Sequence, residues 1–193
     1  GSEMCIRDRY MDGNWHGTKK VKAGFAGSQM KRFLDWDYLK EVKDIWKGPV
    51  VLKGIMHSDD AVKASRIIDC IYLSNHGGRQ LDLAPSPLQI LPEVRKSLKK
   101  DFPIIIDSGF YSGQDICKAI MLGANFVMTG RPFFIGIAAL GEIGAQHVHD
   151  IIKDEIQNVM EQVCCEDIES LPKEKLSINN NFIETNIKKL NPN

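Results

Sequence analysis

The chain has 193 residues, 43% apolar and 26% charged, and its 25 basic and 25 acidic side chains cancel to zero formal charge. That balance belongs to an ordinary globular domain and excludes disordered and collagen-like chains. It offers no basic excess for nucleic acid or an anionic membrane, and no apolar run reaches the ~20 residues of a spanning helix.

In chain order, residues 1–9 read as foreign to the fold. Gly1-Ser2 has the form of a tag remnant, and MCIRDR (4–9) that of a translated sequencing adapter at the end of a metagenomic reading frame. Residues 10–34 mix Gly, Lys and isolated aromatics without a period, which predicts a loop-like lead-in. Trp36, Leu39, Val42 and Ile45 then recur at helical spacing, with Asp35 placed to cap them, so a helix is expected over 35–46. Gly48-Pro49 stops it, and PVVLK (49–53) follows as a short strand.

From there a pattern repeats. A helix is expected near 58–67, opened by Ser58-Asp59-Asp60, then a strand over 70–74 and the loop NHGGRQLDLAPSP. A helix near 87–99, a strand over 103–107, the loop SGFYSG and a helix near 113–122 come next. A strand over 125–129 and the turn GRPF lead into a helical stretch that runs, with a break, to about 163. Short apolar runs alternating with amphipathic helices predict a parallel sheet. Four βα units over 49–163 take about 29 residues each, against ~31 per unit in a (β/α)8 barrel.

A doubly wound open sheet competes with half a barrel. It needs a Gly-rich phosphate turn straight after its first strand, and KGIMH (53–57) is not one. The barrel also accounts for polar residues at the strand ends: Lys53, Ser74-Asn75-His76, Asp107-Ser108-Gly109 and Thr129-Gly130-Arg131. Barrel enzymes place their chemistry on that rim.

SNHGGRQLD (74–82) is the most informative segment. His76 follows a strand end, and Gly77-Gly78 lets the backbone turn sharply beside a ligand. Arg79 can grip a carboxylate with two parallel bonds. Residue type alone names no reaction here. His147 and His149, two apart on an expected helix, do not share a face, so no metal site is expected. The five cysteines, odd in number and without a CxxC pair, read as reduced thiols.

SNHGGRQLD resembles, in all nine residues, the active-site signature of the FMN-dependent L-2-hydroxy acid dehydrogenases and oxidases. The similarity runs from about Trp36 to Leu171, through VLKGI (51–55), IIIDSG (104–109), LGANFVMTGRPF (122–133) and AALGEIGA (138–145). It implies an α/β fold, the C-terminal half of a TIM barrel (strands five to eight), within 35–171, with 172–193 a polar tail. The DSG form is nearer the L-lactate dehydrogenase branch.

The resemblance implies FMN as cofactor and a lactate-like L-2-hydroxy acid as substrate, oxidised to the 2-oxo acid with hydride transfer to FMN. His76 would be the base, Arg79 the substrate-carboxylate ligand, Lys53 the cation beside the flavin and Ser74 a flavin contact. Asp107, Ser108, Gly109, Gly130 and Arg131 would form the phosphate and ribityl region. An IMP dehydrogenase-like barrel, suggested by GANFVMTG, is opposed by SNHGGRQLD and by the lack of a catalytic-cysteine loop.

Departures from the family pattern matter as well. Tyr111 stands where the family usually carries a phosphate-binding arginine, Ile67–Cys70 shortens a turn that usually holds glycine, and strands one to four have no counterpart. The alternative reading is therefore an inactive half-barrel with weak affinity for FMN or phosphate. An uncovered interior of Val, Ile and Leu predicts a homodimer or higher homo-oligomer. The expected location is cytoplasmic, peripheral at the inner membrane in a full-length parent.

Overall fold

The computed structural model describes residues 35–79, 81 and 83–176, so the expectations for 1–34 and for most of the polar tail lie outside the described residues. The chain divides into two units between Lys47 and Gly48. In the first, helix α1 (Trp36–Ile45) begins as expected, with Asp35 accepting the Tyr38 N–H at 2.9 Å. Asp37 in its first turn and Lys43 in its last suit the helix dipole.

The second unit is built on four strands: β1 (Val51–Ile55), β2 (Cys70–Leu73), β3 (Ile104–Ile106) and β4 (Phe126–Val127). They form one sheet in the order β1-β2-β3-β4, every pair parallel. Helices α2 (Ser58–Ala64), α3 (Pro87–Ser97) and α4 (Gly113–Met121) connect them, and α5 (Arg131–Leu140) and α6 (Gly144–Gln162) follow β4. The sequential order decides between the two competing folds. A doubly wound sheet reverses its strand order at the ligand crevice, whereas a barrel lays each strand beside the one before. These are four βα units of a TIM barrel.

Several bounds differ from expectation, each for a local reason. β1 starts at Val51 rather than 49 and runs through Gly54 to Ile55, because Pro49 has no N–H to give a ladder. Lys53 therefore stands inside the strand and not at its end. β4 keeps only Phe126–Val127 of the expected 125–129; Asn125 instead turns its side-chain oxygen to the Ile104 N–H at 2.9 Å. The cap of α2 is His57, whose Nδ1 accepts the Asp59 N–H at 3.2 Å, while the Ser58 hydroxyl goes to Glu93. The expected break in the last helical stretch falls at Gly141–Ile143.

Strand pleating sorts the side chains. Ile71, Leu73, Ile104 and Ile106 are fully buried together with Ala61 and Ala64 of α2 and Leu91 and Val94 of α3. A second apolar cluster, Cys117, Met121, Met160 and Leu171, ties α4 to α6. The other pleat carries one row in register across all four strands: Lys53, Tyr72, Ile105, Phe126. Phe126 is 58% exposed and Val51 46%. That face is aromatic and cationic as well as aliphatic, a departure from the expected Val, Ile and Leu lining.

The helices after β4 cross at two glycines. A Cβ built on Gly144 would stand 2.1 Å from the Gly136 carbonyl oxygen, and one on Gly136 would stand 2.5 Å from Val148 Cγ2. Backbone cannot yield there as a flexible side chain could. Gly144→Ala is expected to destabilise the chain by about 1–3 kcal/mol through overpacking, read as a lower urea midpoint. An unchanged midpoint would show that α5 and α6 can part freely.

Candidate active site

The site grows from the ends of three neighbouring strands. The Lys53 ammonium lies 3.6 Å from the ring centroid of Tyr72, its register partner on β2. It also donates to Ser74 Oγ at 3.0 Å and pairs with the carboxylate of Asp107. Asp107 follows β3 directly and is anchored by its own N–H, which donates to the Leu73 carbonyl at 3.1 Å.

Ser108 Oγ donates to Asp107 Oδ1 at 2.7 Å and accepts the Gly77 N–H at 2.9 Å. Ser74 Oγ, itself on a buried residue, accepts the His76 N–H at 3.1 Å. Because His76 and Gly77 are adjacent, these contacts close a ring: Lys53, Ser74, the His76-Gly77 backbone, Ser108, Asp107 and back to Lys53. Inside the ring sit two non-glycine residues in the left-handed region, His76 at φ 58° and Ser108 at φ 76°. Such conformations are uncommon and persist where surrounding contacts hold them.

Asn75 tightens the turn further. Its side chain accepts the Gly78 N–H at 3.1 Å and donates to the Pro85 carbonyl at 3.2 Å, pinning the two ends of the loop. Neither Asn75 nor Tyr72 was singled out from sequence as a site residue. Strand alternation could have found Tyr72, which lies two residues before Ser74 and so on the same side.

Charge follows from this packing. Burial pushes the Asp107 carboxyl up, but hydrogen bonds from Lys53, Ser74 and Ser108 outweigh it and leave the group below its ordinary range. The stability Asp107 contributes is therefore present above the ordinary carboxylate range and is lost as pH falls through the lowered value. Burial first, then the Lys53 charge and more weakly Arg79, hold His76 below its ordinary value against the opposing pull of Asp107. Burial, helped by the Asp107 charge, pushes the Tyr72 phenol far up, so it stays protonated.

Next to this ring, Gly130 and Arg131 open α5. Gly130 is the N-cap and contributes no side-chain cap, which leaves the N–H groups of Arg131 and Phe133 available to an anion, Pro132 between them having none. The Arg131 guanidinium carbon lies 4.9 Å from the Tyr111 ring centroid. A Cβ built on Gly77 would stand 3.7 Å from Arg131 Nη2, whereas one on Gly109 or Gly130 would meet nothing within 4 Å. Arg79 closes the turn with an exposed side chain. Of the expected site residues, Lys53, Ser74, His76, Asp107 and Ser108 are joined by hydrogen bonds, and Arg131 approaches them at Gly77. Among the described residues no cluster of His, Cys, Asp and Glu is placed to hold a metal ion.

Comparison with known proteins identifies the family. The family model described as FMN-dependent dehydrogenase matches residues 3–178. The chain is 40% identical over 154 residues to (S)-mandelate dehydrogenase of Pseudomonas putida, covering 79% of this chain and 38% of that protein. It is 36% identical over 154 residues to an L-lactate dehydrogenase of Vibrio cholerae serotype O1, covering 79% of this chain and 41% of that one. A crystal structure of the monotopic membrane protein (S)-mandelate dehydrogenase superposes with a TM-score of 0.72 at 35% identity, over 86% of this chain and 45% of that one. The chain thus spans about two fifths of the length of the curated relatives it matches.

FMN is the cofactor of that family, and the donors present suit it. A phosphate is met by backbone N–H groups at a helix start and by a guanidinium, which α5 and Arg131 provide. The space beside Gly109 and Gly130 would be filled by any side chain there. Lys53 adds a fixed cation on the same rim.

Opposite charges around His76 lead to opposite shifts. Lys53→Met removes a cation and frees the Asp107 charge, and both changes favour the imidazolium, so the His76 titration midpoint should rise. Asp107→Asn should lower it by leaving Lys53 unopposed. Imidazole proton shifts followed by NMR against pH decide the matter. Shifts of the same sign in both variants would overturn this electrostatic account.

Proposed function

The chain belongs to the FMN-dependent dehydrogenase family, and on that premise we propose that it supplies the base and the cofactor-facing rim of an L-2-hydroxy acid dehydrogenase or oxidase. The observation that carries this reading is the placing of His76 in a turn whose backbone is tied at both hydrogen-bonded ends to the residues around Lys53. A neutral imidazole accepts a proton and releases it again near pH 7. His76 would take the hydroxyl proton of the 2-hydroxy acid, leaving the 2-oxo acid as the hydride equivalent departs from the α-carbon. Bound FMN would accept that hydride equivalent.

Each other residue has a task that its chemistry permits. Arg79, exposed three residues after His76, would hold the substrate carboxylate through its planar fork. Lys53 would bring positive charge to the flavin, with Ser74 beside it. Gly130, Arg131 and the start of α5 would receive the phosphate, with Asp107, Ser108 and Gly109 in the ribityl region. L-lactate and (S)-mandelate, named in the relatives, bracket the substrate class, and the lactate-like end is the one we favour. The chain itself is read as cytoplasmic and a longer parent as peripheral at the inner membrane, a placement supported by the monotopic relative.

The test is a chimeric barrel in which residues 49–171 replace the matching segment of a full-length family member. His76→Ala in that chimera is expected to cut turnover roughly 10²- to 10⁴-fold, the usual worth of a positioned base, with flavin content retained. Near-normal turnover by steady-state kinetics would end the assignment of His76 as base.

A second reading concerns the 193-residue chain by itself, and Tyr111 favours it. A phenol stacked on Arg131 brings no charge to a dianionic phosphate, and one charge-assisted hydrogen bond is worth ~1.5–3 kcal/mol, roughly 10- to 150-fold in affinity. The exposed Val51 and Phe126 of the sheet, with Phe134 and Ile135 of α5, further favour association between copies over a closed flavin pocket. The chain should therefore purify colourless and oligomeric, bind FMN weakly in calorimetry, and gain affinity from Tyr111→Arg without gaining turnover. A yellow monomer with stoichiometric FMN would overturn this second reading.

A further inference from the structure

Ser108 combines two features that need a joint explanation. Its backbone sits at φ 76°, where glycine would be the unstrained choice, yet the position keeps a side chain. That side chain has committed its only proton. A serine hydroxyl carries one proton and two lone pairs. The neighbouring Asp107 is ionised and can only accept, so the contact at 2.7 Å to its Oδ1 takes the single proton of Ser108. One lone pair accepts the Gly77 N–H at 2.9 Å.

This directionality has a consequence for ligand binding. A phosphate is also an acceptor, so Ser108 cannot donate to it without releasing Asp107. The hydroxyl faces inward to the ring and joins the loop after β3 to the turn after β2, 31 residues earlier in sequence. Gly77 is bonded directly to His76, which is itself left-handed at φ 58° and anchored on its other side by Ser74. Loss of the Ser108 bridge would leave the His76-Gly77 turn held from one side only.

We propose that Ser108 is a positioning residue, whose hydroxyl clamps the Gly77 amide to Asp107 and so sets where the His76 imidazole stands, and that it is not a ligand of the cofactor phosphate. The proposal rests on the reading of His76 as the base. The clamp explains why a side chain is retained at a strained position: the two hydrogen bonds offset the left-handed backbone.

The test uses the 193-residue chain without flavin, so its readouts stand whether or not the chain takes FMN up. Ser108→Ala keeps the strain and loses the clamp. Ser108→Gly loses the clamp and relieves the strain, which gives a variant that folds even if the alanine form does not. In both, the Gly77 amide should exchange with deuterium about 3- to 10-fold faster, the loss of one ordinary hydrogen bond. The His76 midpoint, set by Lys53 from β1, Asp107 after β3 and Arg79 from its own turn, should move up toward its ordinary value as the turn opens to water. Ser108→Gly should melt no lower than Ser108→Ala. Unchanged Gly77 exchange together with an unchanged His76 titration in Ser108→Gly would overturn the proposal. So would a variant that loses FMN binding while both of those readouts stay as in the parent chain, since that marks Ser108 as a direct ligand.

Discussion

The carboxylate of Asp107 is the contact on which the rest of the site depends. Being ionised, it can only accept, and it gathers protons from Lys53, Ser74 and Ser108, which arrive from three different strand ends. A buried or half-buried carboxylate without such donors would shed its charge by taking up a proton. This need aligns β1, β2 and β3 at their C-terminal ends more specifically than apolar packing beneath the sheet could, because dispersion has no direction.

What the ring holds is backbone as much as side chain. His76 and Ser108 both occupy left-handed conformations, and the loops carrying them are bridged by Gly77. The histidine therefore projects from a turn whose geometry is set by hydrogen bonds to Ser74 at the end of its own strand and to Ser108 after β3. Its chemistry is tuned from the same source. Lys53 depresses the imidazole and Asp107 resists, so proton affinity at His76 reports the balance of the ion pair beside it. The proposed base and the cation proposed to face the flavin are in this way coupled through one carboxylate.

The sheet's two faces have different partners. Ile71, Leu73, Ile104 and Ile106 are buried with apolar residues of α2 and α3, whereas the row from Lys53 to Phe126 ends in exposed aromatic surface. In a complete barrel, inward-facing side chains fill the interior in layers. The chain covers less than half of its curated relatives, and within its four described strands this row is 58% exposed at Phe126. The charged end of the row, Lys53, finds its partners laterally, on Tyr72, Ser74 and Asp107.

Much was legible before any coordinates. Apolar runs alternating with helical periods, about 29 residues per unit, identify parallel βα units because each period reflects a different repeat of the backbone. The SNHGGRQLD segment carries the family, and Asp35 marks a helix start by the need of first-turn N–H groups for an acceptor. Strand order was legible through the family resemblance and not through the local pattern, since barrel and open sheet share that pattern and differ only in which strand lies beside which. The position of Lys53 within β1, the cap at His57 and the ring through Ser108 were not legible. The ring depends on which polar groups meet across 21 to 54 residues of sequence, and such meetings are set by tertiary register, for which no local period carries a signal.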